Sequence, residues 1–181
     1  MSECSAARQW QKPRWRHRRY RGFEGYVRYG GWKLCAIRAG TKAPTGGGWN
    51  RRENAIADPN QAAKLEAAGL LHAWSGTAAL DIDDFPAALE WLEARGINLM
   101  ALLGAPDAVQ INSGKPNKGK LLYRLAAPRP SVKVVGNDGQ VIFELRSGSA
   151  AGLTVQDTLP PSQYLARIFQ ESGRISLNQL I

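Results

Sequence analysis

Short alternations of apolar and polar residues, separated by turn-forming residues, predict a β-α-β-α order in the first half of the chain. Residues 31–44 have the pattern of a short strand followed by a turn. Residues 58–69 have a helical pattern, with Asp58 as N-cap and Gly69 as C-cap. The apolar residues on both sides of Gly76 predict further strands.

The segment "TAALDIDDFPAALEWL" marks a change from strand to helix. Its apolar beginning predicts a buried strand that carries Asp81 and Asp83. Residues 85–95 then have an amphipathic helical pattern, for which Asp84 is the predicted N-cap and Gly96 the predicted stop.

The second half of the chain is predicted to consist mainly of strands. They cover residues 108–114, 120–126 and 141–148, with a loop at 115–119 and a turn at 136–140. The mixed order of helices and strands predicts an α/β or α+β fold with strands of both orientations.

The net charge of the chain is +9, and most of the excess lies near the N-terminus. Residues 1–30 hold eight Lys or Arg residues against two acidic ones, with Trp10, Trp15 and Tyr20 among the arginines. Basic residues interleaved with aromatic ones suit binding to a polyanion such as nucleic acid. A solvated, disordered leader is the alternative, and the sequence does not decide between the two.

Apolar residues make up 44% of the chain, which is enough for a core, and no apolar run is long enough to predict a membrane span.

The two cysteines, Cys4 and Cys35, have neither C-x-x-C spacing nor nearby histidines. This favours free thiols in a reducing cytoplasm over a zinc site or a disulfide. We expect His72 to be a packed core histidine or a surface histidine rather than a catalyst.

Asp81 and Asp83 are two residues apart on the predicted strand, so their side chains are expected on the same face. Carboxylates crowded at a strand end repel each other, and a divalent cation such as Mg²⁺ or Mn²⁺ would remove that cost. Asp84 is expected to cap the helix instead. The alternative to a metal site at Asp81 and Asp83 is an acidic corner between strand and helix that binds no ligand.

Glu144 lies between apolar residues in "VIFELRSG", where an unpaired charge would be costly. Alternation puts Glu144 and Arg146 on one face of the strand. Glu144 is either a third metal ligand, with Arg146 near a phosphate, or half of a surface ion pair on an edge strand. Three acids on neighbouring strands can hold two metal ions for phosphoryl transfer.

The segment "SGKPNKGK" supplies groups that suit a triphosphate. Ser113 and Gly114 offer hydroxyl and backbone donors, while Lys115, Lys118 and Lys120 add positive charge. Lys120 opens the next predicted strand, so its position is expected to be the most fixed of the three. The alternative is a solvated lysine-rich hairpin, and the spacing is not that of a Walker A loop.

These segments together resemble the bifunctional DNA primase/polymerase (prim-pol) domain of the archaeo-eukaryotic primase superfamily, in particular the form in phage and prophage primase-helicases. The resemblance covers about residues 31–162 and is carried by "GWKLCAIRAGTKAPTGGGWN", "SGTAALDIDD", "SGKPNKGKLLYRL", "FELRSG" and "GLTVQDTLPPS". It implies an RRM-like catalytic sheet packed against a second small α/β module.

The resemblance also implies template-directed nucleotidyl transfer with two Mg²⁺ or Mn²⁺ ions. Asp81, Asp83 and Glu144 match the family's metal-binding acids. Lys120 occupies the position of a basic residue that contacts the triphosphate, where many relatives have His. The implied partners are a DNA template and primer, nucleoside triphosphates and a separate replicative helicase, in the cytoplasm of a bacterial host.

Two segments depart from the family pattern. Residues 1–30, expected to form a leader, have no counterpart, and residues 163–181 form an atypical tail where relatives continue with a His-Pro segment. The expected catalytic domain is therefore 31–162. A truncated product is one expectation, and a catalytically inactive nucleic-acid-binding remnant is the main alternative to an active polymerase. A metal-dependent nuclease is the third.

Overall fold

The computed structural model describes residues 22–105, 109–111, 115–160, 171–172 and 175–176. The described helices are α1 (Phe23–Gly30), α2 (Pro59–Ala62), α3 (His72–Ser75), α4 (Phe85–Glu93) and α5 (Leu99–Gly104), with a 3₁₀ turn at Arg52–Asn54. The strands are β1 (Leu34–Ala36), β2 (Ala68–Leu71), β3 (Thr77–Ile82), β4 (Val109–Ile111), β5 (Gly119–Arg124), β6 (Val132–Val135), β7 (Val141–Arg146), β8 (Gln156–Thr158), β9 (Glu171–Ser172) and β10 (Ile175–Ser176).

The strands form two sheets. The small sheet has the order β1-β2-β8 and is antiparallel throughout. The large sheet has the order β6-β7-β3-β5-β4-β9, all antiparallel, and β10 pairs with β5 in parallel. The predicted α+β fold class is confirmed.

The large sheet is covered on both faces, because residues along β3 alternate between two cores. Leu80 and Ile82 face α4 and α5 in the first core. Ala79 faces the second core, which is made largely by α1, β1 and β2. We call α1, α2 and the small sheet the small module. It packs on the β3 face that also carries Asp81.

Helix α1 belongs to the folded body, contrary to the prediction that residues 1–30 form a leader. Phe23, Tyr26 and Val27 are spaced to lie on one side of the helix and are all buried. Tyr26 also stacks on Trp32 at a ring-centroid distance of 5.2 Å. The predicted domain start at residue 31 is therefore too late, and residues 1–21 lie outside the described part.

The helix predicted over residues 58–69 is much shorter in the structure. Asp58 caps α2 as expected, accepting a hydrogen bond from the Asn60 amide at 2.8 Å. The prediction of Gly69 as its C-cap is wrong, since Gly69 is in the middle of β2. A side chain at that position would displace the end of the Gln156 side chain, which packs against the strand there.

The transition after β3 follows the prediction. The Asp84 carboxylate accepts a hydrogen bond from the Ala87 amide at 3.2 Å and caps α4. The chain then turns at Gly96, which has a φ of 73°.

Cys35 is a buried free thiol, and Cys4 lies outside the described residues. None of the helices described is long and apolar enough to cross a membrane.

The C-terminal segment predicted as an atypical tail contributes to the large sheet. Its two short strands, β9 and β10, pair with β4 and β5. The remaining residues of 163–181 are outside the part of the chain that the structure describes.

Candidate active site

Asp81 lies at the centre of a row of charged residues across three strands. In the β-sheet register it pairs with Glu144 on β7 and with Lys120 on β5. Directly paired residues of antiparallel strands point to the same face, so the three side chains are neighbours. This face is the one on which Ala79 contacts the small module.

Asp81 is a half-buried acid with a basic partner. Lys120 Nζ lies 3.1 Å from Asp81 Oδ2. Burial raises the pKa of the Asp81 carboxyl, the nearby Asp157 raises it further, and Lys120 partly offsets both effects. A carboxylate whose ionised form is disfavoured gains from a bound cation.

Asp83 follows the end of β3, where its backbone amide donates to the carbonyl of Ile142 at 2.9 Å. Its Oδ1 accepts a hydrogen bond from Lys118 Nζ at 2.8 Å, and this bond raises the pKa of the lysine. Both side chains are about two-fifths exposed, at 41% and 43%. Solvent screening leaves such a pair worth about 0–1 kcal/mol, so Lys118 can leave Asp83 at little cost.

Glu144 and Arg146 share a face of β7, as alternation predicts, and Arg146 Nη1 donates to Glu144 Oε2 at 3.0 Å. The alternative of a surface pair on an edge strand is not what the structure has. β7 lies between β6 and β3, and the two side chains are only 17% and 23% exposed. Glu144 is therefore an inward-facing charge next to Asp81.

Asp157 on β8 is a buried member of this cluster that the sequence analysis did not single out. Its Oδ1 lies 2.6 Å from Lys120 Nζ and 2.9 Å from Arg146 Nε. Burial alone would raise its pKa, but Lys120, His72 and Arg146 together lower it well below the usual range. We call Asp157 and the residues above the charged cluster: Asp81, Asp83, Lys118, Lys120, Glu144, Arg146 and Asp157.

His72 is fully buried, so of the two expected places it has the one in the core. Its Nε2 lies 2.8 Å from Asp157 Oδ2, and its Nδ1 lies 3.0 Å from the Thr77 hydroxyl. An ionised carboxylate only accepts hydrogen bonds, so Nε2 is the donor. In the neutral ring, Nδ1 then accepts from Thr77.

The donor set suits a hard divalent cation, although the carboxylates carry basic partners. Within the described ranges, no three Asp, Glu, His or Cys side chains are arranged to hold a metal ion. Mg²⁺ commonly needs only one or two carboxylates, with waters and phosphate oxygens as its other ligands. Asp81 and Glu144, side by side on one face, meet that requirement.

Two of the residues predicted to contact a triphosphate, Ser113 and Gly114, lie outside the described residues. Of the lysines that follow them, Lys118 has a side chain 43% exposed and Lys120 one only 16% exposed. Lys120 is thus the more buried of the two, and it has carboxylate partners on β3 and β8. Within the charged cluster, Asp157 thus links the Asp81–Lys120 and Glu144–Arg146 pairs, while Asp83 and Lys118 form a separate pair.

Asp157 gives little signal in the sequence. The segment "TVQDTL" has three polar residues in a row at 156–158, as an exposed segment would, and Asp157 is far along the chain from its partners. Only the pairing of β8 with β2, which brings Asp157 opposite Leu70, shows that the position is buried.

The chain matches the family described as bifunctional DNA primase/polymerase, N-terminal, over residues 24–174. Because this match covers most of the 181 residues, the chain belongs to that family. No curated protein and no solved structure matches it. Membership identifies a DNA primase/polymerase-type domain with DNA and nucleotides as substrates, in a family that generally depends on divalent metal ions.

Proposed function

We propose that this chain catalyses template-directed nucleotidyl transfer at the charged cluster, extending a DNA primer with nucleotides from nucleoside triphosphates. The observation that carries the proposal is the pairing of Asp81 with Glu144 on one side and with Lys120 on the other. In a primase/polymerase domain, adjacent carboxylates beside a buried lysine have the chemistry needed for a cation-bound triphosphate.

The acids provide the cation sites in this proposal. Asp81 and Glu144 are the central ligands, and Asp83 joins them when Lys118 moves away. Two bound Mg²⁺ or Mn²⁺ ions would supply the activation of the primer 3′-hydroxyl and the neutralisation of the departing pyrophosphate. The raised pKa of Asp81 favours this use, because a cation offsets the cost of its buried charge.

The basic residues bind the triphosphate. Lys120 and Arg146 are partly buried and are held by carboxylates, so they are oriented before the nucleotide arrives. Lys118 is more exposed and contributes mainly charge. Ser113 and Gly114 remain predicted donors to the phosphates.

Primer extension on a DNA template with Mg²⁺ or Mn²⁺ tests this proposal. The expected result is stepwise extension that stops when the metal is chelated, and that is lost in the double variant Asp81→Ala/Asp83→Ala. Asp84→Ala is the matched control, because it removes a neighbouring acid that caps α4. Extension that survives the double variant would exclude the proposed site, while shortening of the primer would favour a nuclease.

The second candidate function is DNA binding without catalysis. It is favoured by one observation: Lys118, Lys120 and Arg146 are each paired with a carboxylate, and no described group of acids is arranged around a metal ion. This candidate predicts that DNA binding weakens steeply as salt increases, with no nucleotide incorporation under any metal condition.

A further inference from the structure

Lys120 has two carboxylate partners, one on each sheet. Its Nζ lies 3.1 Å from Asp81 Oδ2 on the neighbouring strand β3. It lies closer, at 2.6 Å, to Asp157 Oδ1 on β8 of the small sheet. If Asp81 is engaged by a cation, Asp157 remains as the partner that keeps Lys120 in position.

Asp157 is itself held firmly. It is 6% exposed, and its second oxygen, Oδ2, accepts a hydrogen bond from His72 Nε2 at 2.8 Å. The other ring nitrogen of His72 contacts the Thr77 hydroxyl, at the start of β3. The aspartate is thus fixed to both sheets through one buried histidine, which gives Lys120 a rigid anchor.

Arg146 depends less on Asp157 than Lys120 does. Its guanidinium also donates to Glu144 Oε2 at 3.0 Å and to the Gln156 carbonyl at 2.9 Å. Its Nε is 2.9 Å from Asp157 Oδ1 but makes no well-directed hydrogen bond. Loss of Asp157 therefore leaves Arg146 with two partners.

We propose that Asp157 is a positioning residue that holds Lys120 at the triphosphate-binding side of the charged cluster. This inference rests on the proposed function and assigns a role to a residue of the small module. A buried ion pair is often no more stabilising than apolar residues of similar size, so stability alone does not explain an acid at this position. Its effect is on nucleotide binding and acts through Lys120.

The test uses the full chain and compares Asp157→Asn with the wild type. The matched control is Thr158→Val, which alters the next residue of β8, on the opposite face of the strand. Three quantities are measured: KM for dATP and kcat in primer extension, the Mn²⁺ concentration that gives half-maximal extension, and binding of fluorescent mant-dATP in the presence of EDTA. Thermal unfolding reports the folded state of each variant.

The expected result for Asp157→Asn is a rise of about tenfold or more in KM, the size of a lost hydrogen bond to a charged group. Binding of mant-dATP weakens by a similar factor, while the half-maximal Mn²⁺ concentration and the values for Thr158→Val stay near wild type. A purely structural role would lower the unfolding temperature but leave KM unchanged in the folded protein, and that result would overturn the proposal.

Comparison with Lys120→Met shows whether Asp157 acts through the lysine. Adding Asp157→Asn to Lys120→Met is expected to change mant-dATP affinity by less than about threefold, because residues that act through one another are non-additive. A tenfold lower mant-dATP affinity of the double variant than of Lys120→Met would overturn the role of Asp157 as the residue that positions Lys120. This comparison also serves if Asp157→Asn alone does not fold, since the double variant has no unpaired lysine.

The outcomes separate this inference from the proposed function. A wild type that binds mant-dATP and extends primers, with Asp157→Asn indistinguishable from it, overturns only the role of Asp157. A wild type that does neither overturns the proposed function and this inference together.

Discussion

Asp81 lies directly opposite Glu144 in the register of β3 and β7, with both side chains on the face that the small module covers. Like charges in directly opposite positions are destabilising in a sheet. Lys120 and Arg146 offset the cost here, at 3.1 Å from Asp81 and 3.0 Å from Glu144. Both carboxylates therefore lie on a covered face of the sheet, each with a basic partner.

Replacing Asp81 by Asn is expected to stabilise the protein at pH 7. Its folded-state pKa lies above the unfolded value, so the ionised form destabilises the fold at every pH above the raised pKa. The gain in free energy of unfolding should disappear as the pH falls below the ordinary value of about 3.9. Chemical denaturation at pH 7 and pH 3 measures the free energy of unfolding of both proteins. A variant less stable than wild type at pH 7 would contradict the claim that the ionised Asp81 destabilises the fold.

Replacing Asp157 by Asn is expected to have the opposite effect. The folded-state pKa of Asp157 is depressed, so its stabilisation is fully present above about pH 4 and is lost as the pH falls toward the folded value. Breaking a buried charge network by removing one partner costs about 3–5 kcal/mol at neutral pH. Urea unfolding should show that this loss of stability shrinks below about pH 4. A loss that does not depend on pH would contradict the assignment of the stabilisation to the ionised Asp157 carboxylate.

The two lysines of the cluster should differ in their effects on nucleotide binding. Lys118→Ala removes a screened surface pair, so KM for the nucleotide should rise by at most about fivefold. Lys120→Ala removes a buried cation with two carboxylate partners, and KM should rise by about tenfold to a hundredfold. Steady-state primer extension compares them, and equal effects would place the phosphates away from Lys120.

The assignment of α1 to the folded body is tested by two tyrosines three residues apart. Tyr26 is 3% exposed and stacks on Trp32, so Tyr26→Ala should cost about 3–5 kcal/mol. Tyr29 is 57% exposed, and Tyr29→Ala should change stability by about 0.5 kcal/mol or less. Equal stabilities of the two variants would mean that α1 does not pack on the rest of the folded chain.

Local patterns in the sequence predicted the parts of the site that lie within single elements. The alternation in "VIFELRSG" correctly put Glu144 and Arg146 on one face, and the cap at Asp84 fixed the end of β3. These predictions succeed because side-chain direction in a strand and capping at a helix start depend on neighbouring residues.

The order of the strands and the burial of Asp157 could not be predicted in this way. Both depend on pairing between residues that are distant along the chain, such as Leu70 with Asp157. Helix α1 did leave a local signal in the spacing of Phe23, Tyr26 and Val27, but the basic residues on its N-terminal side led to the prediction of a leader over residues 1–30. The edge strand β6 is short and mostly exposed, so its pattern is weak.

The most direct test of the central claim is primer extension by Glu144→Gln, a variant that keeps the size of the side chain and removes its charge. The account predicts that kcat falls by at least about 100-fold, as expected for loss of a metal ligand worth several kcal/mol. Glu90→Gln, which makes the same change at an exposed position of α4, should keep wild-type activity. Wild-type extension by a folded Glu144→Gln variant would contradict the claim that Asp81 and Glu144 form one cation site.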